Sequence, residues 1–222
     1  MRAIADVMDY TKKNNSHGLM IFIDFEKGFD SLSWNYMQKC LDAFNFGPML
    51  TSWVRVFYND VSSYILNGGF TSGHFNVTNG VRQGDPLSPY LFILSLETLA
   101  ITIRSEIGVE GISAYGKKQK IVLYADDITV MLSNIKSAKI LFMFVEHKTE
   151  NFENAAGLKV NSEKTEAMWL GRSRFSTKKP LGISWPQKPI RALGVYFSYD
   201  NNLSEKANFE NKIKNLKSRL NI

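Results

Sequence analysis

The sequence predicts an α+β fold, a mixed or antiparallel sheet with helices packed on one face. Three observations carry this. Short runs of strand length recur at 18–25, 120–124, 128–132, 164–170 and 190–197, the first of them almost wholly apolar. Between them lie longer stretches with helical periodicity, the signature of layered sheet and helix. The 222-residue chain, 44% hydrophobic and 22% charged, can bury a core of ordinary size.

Residues 3–13 read as a helix with Ile4, Val7, Met8 and Thr11 on one face. Residues 18–25 are too apolar for a half-exposed strand and predict one buried on both faces. Ser33 is a good N-cap for a helix through Trp34, Met37, Leu41 and Phe44. Gly47-Pro48 breaks that helix, and a second follows with Leu50, Trp53, Val54 and Phe57 expected inward. A hairpin is expected around Asn67-Gly68-Gly69, between 61–66 and 70–78. Residues 79–89 form a Gly/Pro-punctuated loop that opens a helix at 88–106. Strands at 120–124 and 128–132 flank a tight turn at Ala125-Asp126-Asp127. A helix is predicted over 133–156, ended by Gly157. Strands at 164–170 and 190–197 follow, then a basic amphipathic helix at 205–220.

Charge and cysteine content narrow the partners. A net charge of +6 and a pI near 9.3 favour polyanions, though a solvated surface accounts for them equally well. Residues 171–199 hold six Lys/Arg and no Asp/Glu, a local positive surface suited to a phosphate backbone. Cys40 stands alone, and the three histidines lack metal-ligand spacing, which excludes a disulfide framework and a structural zinc site. A reducing, intracellular setting is expected. The N-terminus lacks the apolar run of a signal peptide. Residues 87–103 contain Pro89 and Glu97 and read as a buried helix, so no membrane partner is expected.

Three segments carry the chemistry. Asp24 ends an apolar strand, where a carboxylate is costly unless paired or cation-bound. Asp126-Asp127 ends another, and adjacent carboxylates repel each other unless a metal is shared. Two such strands side by side would converge Asp24 and Asp126 on magnesium, which takes hard oxygen ligands. Each Asp taken alone reads equally well as a turn or cap residue. The segment 80–89 has glycines that permit close backbone approach, with Arg82 and Gln83 able to face phosphate or sugar.

Together these segments resemble the reverse transcriptases. Asp24-Phe25-Glu26-Lys27-Gly28-Phe29-Asp30, residues 80–89 and Tyr124-Ala125-Asp126-Asp127 are similar, in order and spacing, to that family's motifs A, B and C. Gln83-Gly84-Asp85-Pro86-Leu87-Ser88-Pro89 is most similar to the non-LTR, LINE-type class rather than to group II intron relatives. Residues 157–165 resemble motif D of that class, and Leu193-Gly194-Val195 followed by Tyr196-Phe197-Ser198 resembles motif E, the primer grip.

The resemblance implies a polymerase palm and an RNA-directed DNA polymerase using an RNA template, a DNA primer and deoxynucleoside triphosphates. It implies two Mg²⁺ ions, with Mn²⁺ as a substitute, held by Asp24 and Asp126 with the Phe25 carbonyl and Asp127 adjacent. Phe29 would be the steric gate against a 2′-hydroxyl, and Arg82, Gln83 and Gly84 would line the nucleotide pocket. Lys164 would act as general acid toward pyrophosphate, and Leu193 and Gly194 would grip the primer.

Gly28 departs from the family's usual Ala and is expected to loosen the gate. The expected domains are a palm over 1–199 and the start of a thumb over 200–222. Fingers, endonuclease and zinc knuckle segments are not found, which suggests a fragment, and a LINE-type element implies a nuclear location. The competing expectation is a catalytically silent nucleic-acid-binding remnant of such an element. Oligomeric state is not indicated.

Overall fold

The computed structural model describes residues 1–147 and 152–220. Along the chain these form α1 (Arg2–Lys13), β1 (His17–Ile23), α2 (Gly28–Ser31), α3 (Trp34–Ala43) and α4 (Pro48–Phe57). Four two-residue strands follow: β2 (Ser62–Ser63), β3 (Leu66–Asn67), β4 (Phe70–Thr71) and β5 (Phe75–Asn76). Next come α5 (Ser88–Ser105), β6 (Ile112–Ala114), β7 (Lys117–Gln119), β8 (Ile121–Tyr124) and β9 (Asp127–Leu132). Then come α6 (Ile135–Phe142), a π-helical turn (Met143–His147), α7 (Phe152–Ala156), β10 (Glu166–Gly171) and a 3₁₀ turn (Arg172–Phe175). The chain continues through β11 (Ile190–Ala192), β12 (Val195–Phe197) and α8 (Asn201–Leu220). Two compact units divide it: residues 1–24, 103–143 and 160–222, and residues 25–102 and 144–159.

The first unit is built on a four-stranded antiparallel sheet in the order β10-β1-β9-β8. β1 lies between two neighbours and is buried from Gly18 to Ile23. Its alternating side chains therefore serve two faces. Met20 and Phe22 face a cluster with Ile4 and Val7 of α1, Met131, Met168, Leu170 and Phe197. The Phe22 and Phe197 rings stack 6.3 Å apart. The Lys120 ammonium closes the end of α5 by donating to the carbonyls of Ile103, Arg104 and Glu106 at 2.6–3.2 Å. A cation there meets both the orphan carbonyls and the negative end of the helix dipole.

In the second unit Ser33 caps α3 as expected, its hydroxyl accepting the Tyr36 N–H. The loop before α5 is tied down by backbone: Val81 N–H donates to the Phe29 carbonyl at 2.7 Å and Gly80 N–H to the Leu32 carbonyl at 2.8 Å. Trp34 Nε1 donates to the Gly80 carbonyl at 2.7 Å. The expected hairpin turns at Gly68-Gly69, both at positive φ, but its ladder is broken into the pairs β3–β4 and β2–β5.

Several expectations are corrected. On α4 the inward stripe is Thr51, Val54 and Tyr58, a spacing of three and four that defines one helix face. Leu50, Trp53 and Phe57 lie one residue off it and are 36%, 56% and 48% exposed. The helix expected over 133–156 starts after Asn134, whose side chain accepts the Ser137 N–H, and passes into a π-helical turn. Residues 148–151 of that expectation lie outside the described residues. The strand expected at 190–197 is a hairpin, because Leu193 and Gly194 both take positive φ and reverse the chain. The hairpin β6–β7 was not foreseen, and α8 begins at Asn201, earlier than the basic periodicity suggests. Among the described residues, no helix is long and apolar enough to cross a membrane.

Gly171 marks the tightest point of the first unit. It ends β10 with φ +53° and ψ −128°, a conformation that side chains avoid, and an added Cβ would overlap the Ser16 carbonyl oxygen. That carbonyl accepts the Arg172 N–H at 2.9 Å. Gly171→Ala is expected to destabilise the fold by about 3 kcal/mol or more, read as a lowered urea midpoint with unchanged slope.

Candidate active site

The β8–β9 hairpin closes through a two-residue turn, Ala125-Asp126, with Tyr124 paired to Asp127. Ala125 has φ +53°, so the turn takes a positive φ at its first central position, as a type II′ turn does. This tight reversal leaves Asp126 and Asp127 exposed at the tip, beside a Tyr124 side chain that is 71% exposed. The β1–β9 ladder ends at the pair Ile23–Ile128, so the next residue of each strand, Asp24 and Asp127, continues at the same level.

Asp24 is half-buried, and its carboxyl is pushed above the usual carboxylate range. Loss of solvent is the main cause; Lys164 opposes the shift, while Asp126 and Asp127 add to it. The structure thus brings Asp24, Asp126, Asp127 and Lys164 into one electrostatic neighbourhood. Lys164 is exposed in the turn before β10, and its N–H donates to Asn161 Oδ1 at 3.1 Å.

Two positioning residues were missed in the sequence. The Asp24 N–H donates to Thr165 Oγ1 at 3.2 Å, and its carbonyl accepts the Asn161 N–H at 2.8 Å. Thr165 is wholly buried. The signal available was an Asn four residues before a Thr next to an apolar strand. That spacing predicts a turn but not what the turn grips.

Phe25, Phe29, Arg82, Gln83 and Gly84 belong to the second unit. Phe25 is buried, its ring 6.1 Å from that of Phe152. Phe29 is half-buried and stacks on Phe92 at 4.3 Å and 15°. A methyl on Gly28 would come within 3.3 Å of Phe92, so the glycine leaves room for the ring that braces Phe29. Arg82 and Gln83 line a small cleft with Trp34, Tyr58 and Asn79, and Gly84 follows at φ +87°. Arg82 is partly committed: its Nη2 donates to the Phe57 carbonyl at 3.1 Å. Leu193 and Gly194 form the β11–β12 turn of the first unit, where Leu193 packs on the core.

Among the described residues, no group of three or more His, Cys, Asp or Glu is placed to hold a metal ion by itself. Magnesium does not need one, since one or two carboxylates suffice where substrate phosphates and water complete the octahedron.

The fold and this carboxylate turn define a polymerase palm. Telomerase structures from two yeasts share it: apo telomerase of Candida tropicalis (TM-score 0.57, 14% identity, 89% of this chain and 38% of that one). The second is Candida albicans telomerase with a TWJ fragment of telomeric RNA (TM-score 0.59, 14% identity, 88% and 32%). The chain belongs to the reverse transcriptase (RNA-dependent DNA polymerase) family, whose model matches residues 1–197. It is 25% identical over 199 residues to the transposon TX1 uncharacterized 149 kDa protein of Xenopus laevis, covering 88% of this chain. It is 32% identical over 142 residues, 64% of this chain, to the Pol polyprotein of the type-2 retrotransposable element R2DM of Drosophila melanogaster. The chain spans 15% and 13% of the length of these two relatives.

The strained carboxylate yields a stability prediction. An acid with a raised pKa penalises the fold where it is ionised, and the penalty fades as pH falls through that pKa. Asp24→Asn is therefore expected to raise the melting temperature at pH 7 without divalent cations, on the order of a degree or more. The gain should vanish in acid, as followed by circular dichroism melts across pH.

Proposed function

We propose that this chain is the catalytic core of an RNA-directed DNA polymerase, adding deoxynucleotides to a DNA primer on an RNA template. The observation that carries the reading is the strand register, which sets Asp24 level with Asp127 next to the Asp126 turn, in a chain of the reverse transcriptase family. Two Mg²⁺ ions, or Mn²⁺ in their place, would clamp the attacking and leaving oxygens of phosphoryl transfer. Asp24 and Asp126 would hold them, with Asp127 and the Phe25 carbonyl adjacent. The backbone grip of Asn161 and Thr165 keeps Asp24 from relaxing away from the two charges that repel it. Lys164, exposed and coupled to Asp24, is available to give a proton to the leaving pyrophosphate.

Arg82, Gln83 and Gly84 would receive the nucleotide, Phe29 would sit against its sugar, and Leu193 and Gly194 would steady the primer. In the same reading residues 1–199 are palm, 200–222 open a thumb, and the enzyme works in the nucleus as part of a LINE-type element.

In primer extension on an RNA template with magnesium, Asp126→Asn is expected to cut the rate about 100-fold or more, because it removes charge needed in the transition state. An unchanged rate would refute the assignment. Failure of the unsubstituted chain to extend, with RNA–DNA hybrid still bound, would favour a silent binding remnant.

Phe29 provides a separate test. A ring braced on Phe92 offers a hydroxyl volume exclusion and no hydrogen bond. Phe29→Ala is expected to raise kcat/KM for ribonucleotides relative to deoxynucleotides about tenfold or more, with deoxynucleotide addition retained. An unmoved ratio in a folded, active variant would make Phe29 a packing residue.

A further inference from the structure

The basic stretch between β10 and β12 is not part of the carboxylate site, yet it is built with care. Trp169 and Trp185 stack at 4.6 Å and 28°. Each indole spends its one donor on the same loop: Trp169 Nε1 on the Lys178 carbonyl at 3.0 Å, Trp185 Nε1 on the Pro180 carbonyl at 2.9 Å. The loop so pinned presents Lys178 and Lys179, which line a cleft of about 530 Å³ together with Lys188 and Arg174. Ordering a lysine-bearing loop against two tryptophans concentrates positive charge that a loose loop would spread out.

Among the described residues, no carboxylate lies within salt-bridge distance of Lys178, Lys179, Lys188 or Arg174. The carboxylate in the cleft wall, Asp200, accepts the Asn202 N–H at 2.9 Å and so caps α8. At the mouth, the Arg174 guanidinium lies 4.2 Å from the Phe175 ring centre and 5.0 Å from that of Tyr199, and donates to the Tyr199 hydroxyl at 3.1 Å. Phe175 itself is 76% exposed. An exposed ring leaning on a fixed guanidinium, beside unpaired lysines, offers a flat apolar face and phosphate partners together.

We infer that this cleft binds single-stranded nucleic acid, with a base stacked on Phe175 and phosphates on Lys178, Lys179 and Lys188. Bases in a duplex are already stacked and present no free face, so duplex would use the charge alone. An acidic polypeptide would also meet the charge but would leave the ring without a stacking partner. The cleft is lined by none of Asp24, Asp126, Asp127 or Lys164, so its binding is tested separately from the carboxylate chemistry.

The test uses the whole 222-residue chain and fluorescein-labelled twelve-nucleotide probes: oligo(U), oligo(dT) and a duplex of equal length. Phe175→Ala is expected to weaken both single strands about tenfold, the loss of one base stack, while duplex affinity stays within about twofold. Phe175→Trp should restore binding. Because this ring is mostly in solvent, the melting temperature should not move. Joint replacement of Lys178, Lys179 and Lys188 by Ala should lower the slope of log K against log salt by about 2. Equal losses for single strand and duplex, no loss on Phe175→Ala, or competition by polyglutamate as strong as by oligo(U) would each overturn the inference.

Discussion

The β1–β9 ladder is the constraint on which the first unit depends. It is an antiparallel pairing with a side-chain period of two, so a slip of one residue would exchange the faces of β1. Met20 and Phe22 would leave the cluster they share with α1, and Asp24 would lose its level with Asp127. Core and carboxylates thus answer to one register. The hydrophobic effect that fixes the register is insensitive to charge, and for that reason it can hold like charges together.

Holding them has consequences for the neighbours of Asp24. Desolvation and two carboxylates act against its ionised form, and Lys164 offsets only part of this. Backbone hydrogen bonds from Asn161 and to Thr165 keep the residue in place from the side opposite β9, where β10 pairs with β1. The segment between Asn161 and β10 is therefore as much a part of the site as the carboxylate turn. Its contribution is geometric rather than chemical.

Much of this was legible in the residues. β1 announced itself by apolar content too dense for a half-exposed strand, and the turn by two carboxylates ending another apolar run. The cap at Ser33 and the turn at Gly68-Gly69 follow local rules that tertiary context did not override. What could not be read was whatever depended on distant partners. The inward face of α4 hinges on which of two overlapping stripes meets a neighbour: Val54 is buried as expected, but Leu50, Trp53 and Phe57 are left outside while Thr51 and Tyr58 turn in. The break of 190–197 into a hairpin needs a Leu at positive φ, an uncommon state that no propensity foretells. The grip of Thr165 on Asp24 spans 141 residues, beyond any local pattern.

That separation also governs how the molecule comes into being. β1 is finished at Ile23, but its two sheet neighbours begin at Asp127 and Glu166. At translation rates of roughly 5–20 residues per second, the nascent strand waits several seconds to half a minute for its second partner. Through that interval a seven-residue stretch, His17–Ile23, is apolar along nearly its whole length and lacks both ladders. Non-local pairing of this kind folds slowly. Yield in a cell should accordingly track ribosome speed and chaperone supply more closely than the equilibrium stability of the finished fold.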